Sequence, residues 1–213
     1  MPPGAIGSQR LLRGGPLSGY YQPTELIVPE GVVVGLPHQG GFSDSHAGNP
    51  VTGLLVGQVY RFRLSEIPLH RGVVLYPTVE LIDRLYPPPG QAVKFPVPIE
   101  FTEAELDLAA RGMFVTRVIY VEDPLRAMPE KQLAGQPWFE VGEGEDPLQV
   151  ADQLGRPIAI LRLGGRDWGA STADPRATYG APPLIDYGVR SIPPQPATMP
   201  VTAQPSEAAP AGE

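Results

Sequence analysis

The chain has 213 residues, of which 28 are proline and 25 are glycine, a formal net charge of −7 and no cysteine. An interior proline costs a helix about 3 kcal/mol, so the composition excludes a mainly helical protein and favours strands and turns. The negative charge disfavours nucleic-acid binding, and the lack of cysteine excludes disulfides and zinc–thiolate centres. No stretch reaches the roughly 18 apolar residues of a membrane span.

The sequence divides into three regions. Residues 1–23 show neither a helical nor a strand period and are predicted to form an extended N-terminal arm. Residues 24–165 carry the patterned apolar segments and are predicted to form one core domain. Residues 166–213 are proline-rich and are predicted to form a C-terminal arm that ends in a solvated, polyproline-like tail.

Short runs of alternating or branched apolar residues predict seven strands in the core. In chain order they cover residues 25–29, 32–36, 54–64, 73–81, 97–101, 113–121 and 158–163. In the third strand Tyr60, Phe62 and Leu64 are predicted to face the core. Within the sixth strand, the run 114–121 is apolar on both faces except at Thr116 and Arg117, which predicts a central strand.

Two short helices are marked by their caps. Thr102 and Glu105 form the pattern of a capping box, and Gly112 is predicted to end that helix in a left-handed conformation. Asp146 and the following proline predict the start of the second helix, and Gly155 its end. Each helix leads into a strand, so the chain contains two similar units of cap, helix, glycine and strand.

These elements predict a mainly β protein, an antiparallel immunoglobulin-like β-sandwich with two short capped helices and extended arms rich in proline and glycine. A parallel βαβ sheet is the lesser alternative, because only two short helices precede strands. The cysteine–tryptophan–cysteine signature of true immunoglobulin domains is absent from the sequence.

No set of residues in the sequence converges on a known catalytic chemistry. The segment Ser43–His46 contains the residue types of a serine hydrolase, but neighbours in one loop do not make a triad. His38, His46 and His70 lack the spacing of a zinc site. We therefore predict no catalytic residues, no cofactor and no metal.

The acidic side chains leave two alternatives open. The cluster 140–146 has the oxygen ligands that calcium prefers, without the EF-hand pattern. Glu80 and Asp83 are candidate paired carboxylates for hydrolysis, although strand-end acids are more often solvated or paired with arginines such as Arg84 and Arg117. A hydrolase is thus the least favoured function.

Three segments, LVGQVYRFRL at 55–64, LYPTVELIDRLYPP at 75–88 and FVTRVIYVEDP at 114–124, resemble exported proteins of planctomycete-type bacteria that have no assigned activity. The resemblance covers about residues 50–165 and implies a location in the cell envelope. The first residues show neither the basic run nor the apolar stretch of an export signal. From the resemblance we expect an extracytoplasmic location, and the lack of an export signal leaves a cytoplasmic one open.

The favoured function is a non-catalytic structural or interaction protein that docks through its arms onto a protein partner or a second copy. The alternative is a β-sandwich module that binds carbohydrate or another ligand through exposed aromatic side chains. Apolar and aromatic residues of the arms are the candidate contacts for either function: Leu12, Leu17, Tyr20, Tyr21, Trp168 and Tyr179.

Overall fold

The computed structural model describes residues 3–38, 41–43, 46–122, 144–164 and 182–190. Within these ranges the helices are α1 (Ala5–Leu12), α2 (Glu103–Ala110) and α3 (Pro147–Leu154), with a 3-10 turn at Ala92–Lys94. The strands are β1 (Tyr21–Ile27), β2 (Val33–Gly35), β3 (Pro37–His38), β4 (Gly41–Phe42), β5 (His46–Ala47), β6 (Pro50–Leu55), β7 (Val59–Arg61), β8 (Arg63–Ser65), β9 (Thr78–Leu81), β10 (Val97–Glu100), β11 (Val115–Glu122), β12 (Gly155–Leu163) and β13 (Leu184–Val189).

Two four-stranded sheets form most of this structure. The first sheet has the strand order β10-β1-β6-β13, and the second sheet has the order β11-β12-β9-β7. Strands β1 and β10 run parallel, whereas the second sheet is antiparallel throughout. Two smaller antiparallel sheets, β5-β2-β8 and β3-β4, complete the set. The prediction of a mainly β protein with antiparallel sheets is confirmed; an immunoglobulin-like sandwich is not.

Both four-stranded sheets contribute side chains to one apolar core. Leu26, Leu54 and Ile99 come from the first sheet, and Val79 and Leu161 come from the second. All five are almost completely buried. Burial at about 25 cal/mol per Å² of apolar surface makes this shared layer the main source of stability.

The predicted strand 54–64 is three strands. Tyr60, Phe62 and Leu64 are buried, as predicted. However, β6 ends at Leu55, and Gly57 turns the chain with φ of 85°. That left-handed conformation suits glycine, so β7 can join the second sheet while β8 pairs with β2.

The prediction that residues 113–121 form a central strand is wrong. β11 lies at the edge of the second sheet, and β12 and β9 occupy its centre. The physical reason is that α2 and α3 both contact β11. A strand covered by helices has an apolar sequence on both faces, as a central strand does, so the pattern does not separate the two.

Helix caps follow the sequence closely. Thr102 Oγ1 accepts a hydrogen bond from the Glu105 N–H at 3.2 Å, and the Glu105 carboxylate accepts from the Thr102 N–H at 3.0 Å, which confirms the capping box. Asp146 caps α3 by accepting from the Leu148 N–H at 3.0 Å. Gly112 is left-handed with φ of 85°, whereas Gly155 is extended and is the first residue of β12.

Part of each predicted arm belongs to the folded body. Residues 5–12 form α1 instead of an extended segment, and Ile6 is buried against the second sheet. The sequence does not predict this helix because it is only eight residues long, begins after Gly4 and contains Gly7. In the C-terminal arm, residues 184–189 form β13, which pairs with β6. Most of that arm lies outside the described residues.

Tyr60 ties β13 to the core. Its hydroxyl accepts a hydrogen bond from the Leu55 N–H at 2.9 Å and donates one to the Pro183 carbonyl at 2.8 Å. Burial, with a smaller contribution from Tyr21, raises the pKa of Tyr60 to about 12. The phenolate cannot donate to Pro183, so ionisation of Tyr60 breaks this link.

We expect this link to give a pH-dependent stability. Because folding raises the pKa of Tyr60 above that of a free phenol, its contribution is complete below about pH 10. It is then lost as the pH rises through about 12. Ultraviolet absorbance during an alkaline titration should show one late tyrosine in the native protein, and Tyr60→Phe should remove it. The exposed Tyr187→Phe is the control, and a late tyrosine that survives Tyr60→Phe would contradict the assignment.

Candidate functional site

The outer face of the second sheet carries two neighbouring rows of side chains, because alternate residues of each strand share a face. The strand register sets the members of each row. The polar row crosses the four strands as Thr116, Arg162, Thr78 and Arg61. The covered row runs beside it as Val118, Ile160, Glu80 and Val59.

Helices α1 and α3 lie over the covered row. Ile6 of α1 packs with Ile82 and Ile160, and Val118 and Leu148 pack against the same cluster. Gly7 of α1 approaches the turn before β7 so closely that an added Cβ would lie 3.0 Å from the Cα of Gly57. A glycine at position 7 therefore lets the helix reach the sheet.

Glu80 connects the two rows. Its side chain is fully buried, and its carboxylate accepts hydrogen bonds from the Gly7 N–H and from Arg162 Nη1, each at 2.9 Å. The expectation that Glu80 pairs with an arginine is therefore confirmed, but the partner is Arg162 and not Arg84 or Arg117. Arg162 comes from a strand 82 residues later in the chain, so sequence spacing gave no sign of it.

The polar row is the floor of an open groove with a volume of about 740 Å³. Ile6 and Leu148 line it from the helices, and Tyr76 and Phe114 add aromatic surface. Strands lie about 4.8 Å apart, so a floor four strands wide is about 14 Å long. Threonine hydroxyls both donate and accept hydrogen bonds, and guanidinium groups donate, so the floor can bind a row of polar atoms between apolar walls.

The predicted contact residues lie elsewhere. Leu12 and Leu17 are 88% and 57% exposed, and Tyr20 and Tyr21 are half-buried. These four do not line the groove. Trp168 and Tyr179 lie outside the described residues. The alternation of polar and apolar residues in β7, β9 and β12 was visible in the sequence, but only strand pairing shows that their polar residues form one row.

Within the described ranges, no three histidine or acidic side chains come together in a way that could hold a metal. His70 Nε2 lies 2.8 Å from the Asp107 carboxylate, and the hydrogen bond with His70 lowers the pKa of Asp107. In the segment Ser43–His46, the Ser43 hydroxyl accepts a hydrogen bond from the Leu36 N–H. Asp44 and Ser45 lie outside the described residues. Of the acidic cluster, residues 140–143 are also outside them.

The candidate paired carboxylates are both occupied by ion pairs. Glu80 pairs with Arg162, and Asp83 lies 2.9 Å from Arg156 and 3.7 Å from Arg10. The predicted partner Arg117 instead pairs with Glu105 and donates to the carbonyl of Glu100. The oxygens of both carboxylates are therefore already engaged by guanidinium groups.

Comparison of the sequence with models of known protein families, with curated proteins and with solved structures found no match. Among the helices of the described residues, none is long and apolar enough to cross a membrane. The resemblance to exported planctomycete-type proteins stays a prediction. A functional proposal for this chain therefore rests on its own geometry.

The buried ion pair is testable. Glu80→Gln keeps the side-chain shape but leaves Arg162, which is only 11% exposed, without its counter-charge. Loss of one partner of a buried pair destabilises a protein by about 3–5 kcal/mol. We expect a loss of that size in the free energy of unfolding measured with urea. The exposed Glu30→Gln is the matched control, with a change within about 0.5 kcal/mol. Similar values for the two variants would contradict this role of Glu80.

Proposed function

We propose that this chain is a non-catalytic interaction protein and that its groove binds an extended segment of a protein partner. The observation that carries the proposal is the polar row of Thr116, Arg162, Thr78 and Arg61, which lines the groove between apolar walls. It is a floor of hydrogen-bonding groups that α1 and α3 leave uncovered.

An extended peptide fits this floor in length and in chemistry. Its residues rise about 3.4 Å each, so about 14 Å accommodates about four of them. Its backbone offers a donor and an acceptor per residue to the threonines and arginines. Its apolar side chains would pack against Ile6, Leu148 and Phe114, which supply the burial that stabilises such complexes.

The acids near the groove support binding over catalysis. Glu80 lies beneath the floor in its ion pair, and Asp146 caps α3. Both carboxylates are therefore engaged in contacts that hold the structure together.

The arms extend this proposal. Leu12 and Leu17 are exposed beside the body, and they offer further apolar contact for a partner or a second copy. We also propose that the two four-stranded sheets pack as an immunoglobulin-like sandwich, which their common core supports, and that the protein works in the cell envelope, as the resemblance implies.

Carbohydrate binding is the second candidate, and the aromatic lining favours it. Phe114 is 62% exposed and Tyr76 also faces the groove. Sugar rings present apolar faces that stack on aromatic rings, while their hydroxyls would bond to Thr78 and Thr116.

A displayed library of random peptides tests the proposal. We expect selection on the native protein to yield related peptides whose affinity falls about tenfold or more with Phe114→Ala, because buried aromatic contacts dominate such interfaces. Phe95→Ala is the matched control, since Phe95 is 50% exposed and does not line the groove. Peptides that tolerate Phe114→Ala would contradict the proposal. Binding on a glycan array that Phe114→Ala abolishes, without any selected peptide, would favour the second candidate.

A further inference from the structure

A second pocket, separate from the groove, lies between the end of α1 and the segment after β9. Its volume is about 630 Å³, and it is lined by residues that include Arg10, Arg13, Asp83, Arg84 and Tyr86. The chain carries a net charge of −7, so a convergence of arginines at one place is unexpected. The pocket shares no lining residue with the groove, and arginine side chains give it a different chemistry.

Positive charge exceeds negative charge at this pocket. Arg156 pairs with Asp83 at 2.9 Å, and Arg10 lies 3.7 Å from Asp83 and 3.6 Å from the exposed Asp152. These contacts set two carboxylates against two guanidinium groups. Arg13 and Arg84 make no ion pair with any acidic side chain in the described part of the chain, which leaves two positive charges uncompensated.

Arg84 is held in place by stacking. Its guanidinium lies 5.0 Å from the ring centre of Tyr20 and 4.4 Å from that of Tyr86, and Arg156 lies 5.1 Å from the same Tyr86 ring. The Arg84 Nε is buried and lacks a hydrogen-bond partner among the described residues. A stacked guanidinium has lost most of its rotamer freedom, so an anion that binds it pays little ordering entropy.

The backbone around Arg84 is also fixed. The Arg84 N–H donates to Asp83 at 2.7 Å, its carbonyl accepts from Arg156 at 2.8 Å, and the Leu85 N–H donates to Gln22 at 2.7 Å. Gln22 is itself fully buried. The Arg84 side of the pocket is therefore held in place by the fold.

We propose that this pocket binds the phosphate group of a phosphomonoester. Such a group carries a charge of about −1.5 to −2 at neutral pH, which matches the two uncompensated arginines, and its oxygens suit the bidentate geometry of guanidinium. Leu17 lines the same pocket and the exposed Leu12 ends α1, so a ligand with an apolar portion beside its phosphate also finds contact there.

The test is calorimetric titration of the full chain with inorganic phosphate, against sodium chloride of equal ionic strength. We expect saturable binding of phosphate but not of chloride, and an affinity for phosphate about tenfold or more lower in Arg13→Gln, because this variant loses a charge-assisted hydrogen bond to the anion. Arg13 is exposed, so this variant should fold normally. Arg84→Met is the second variant and keeps an apolar side chain between the tyrosines.

Arg71→Gln is the control, since Arg71 is exposed and lies outside the pocket. An equal loss in Arg71→Gln, or phosphate binding no stronger than chloride binding, would overturn the proposal. Vesicles of phosphatidylcholine with and without phosphatidic acid distinguish a lipid headgroup from a free phosphate compound as the ligand. Binding of either ligand that weakens in Arg13→Gln supports the site. Phe114→Ala should leave phosphate affinity unchanged, so failure here and failure of the groove proposal are distinguishable.

Discussion

The buried carboxylate of Glu80 organises the outer side of the second sheet. A charge without exposure to water is tolerated only when it is paired and hydrogen-bonded, and Glu80 meets both conditions through Arg162 and the Gly7 N–H. Those two bonds join strands β9 and β12 to a helix more than 70 residues away in sequence. They fix where α1 lies, and the position of α1 decides which part of the sheet stays open.

The groove follows from that arrangement. The outer face has two rows of side chains, and only one of them is apolar enough to need a cover. Ile6 and Leu148 provide that cover and leave the polar row along the open groove. The proposed binding surface is thus the half of the sheet face that the helices do not cover. The distance between the strands sets the distance between the side chains of its floor.

The segments predicted as arms have more than one role. The N-terminal segment supplies α1, which packs on the second sheet, and then the turn that borders the arginine pocket. Residues 182–190 add an edge strand to the first sheet, and Gly53 leaves room for the Tyr187 ring beside it. Arg190 completes this attachment with an ion pair to Glu25 at 3.0 Å. Chain ends with little apolar patterning can therefore join a core through a few specific contacts.

The local features of this protein could be predicted from its sequence: the β-rich character, the inward face of Tyr60, Phe62 and Leu64, and the caps at Thr102 and Asp146. These depend on neighbours within a few residues, so periodicity and cap chemistry suffice to find them. The tertiary structure alone decided that β11 is an edge strand, that Glu80 meets Arg162, and that four polar residues from four strands form one row. Those outcomes depend on strand order and register, which are set by the burial of many side chains together and leave no mark at any single position.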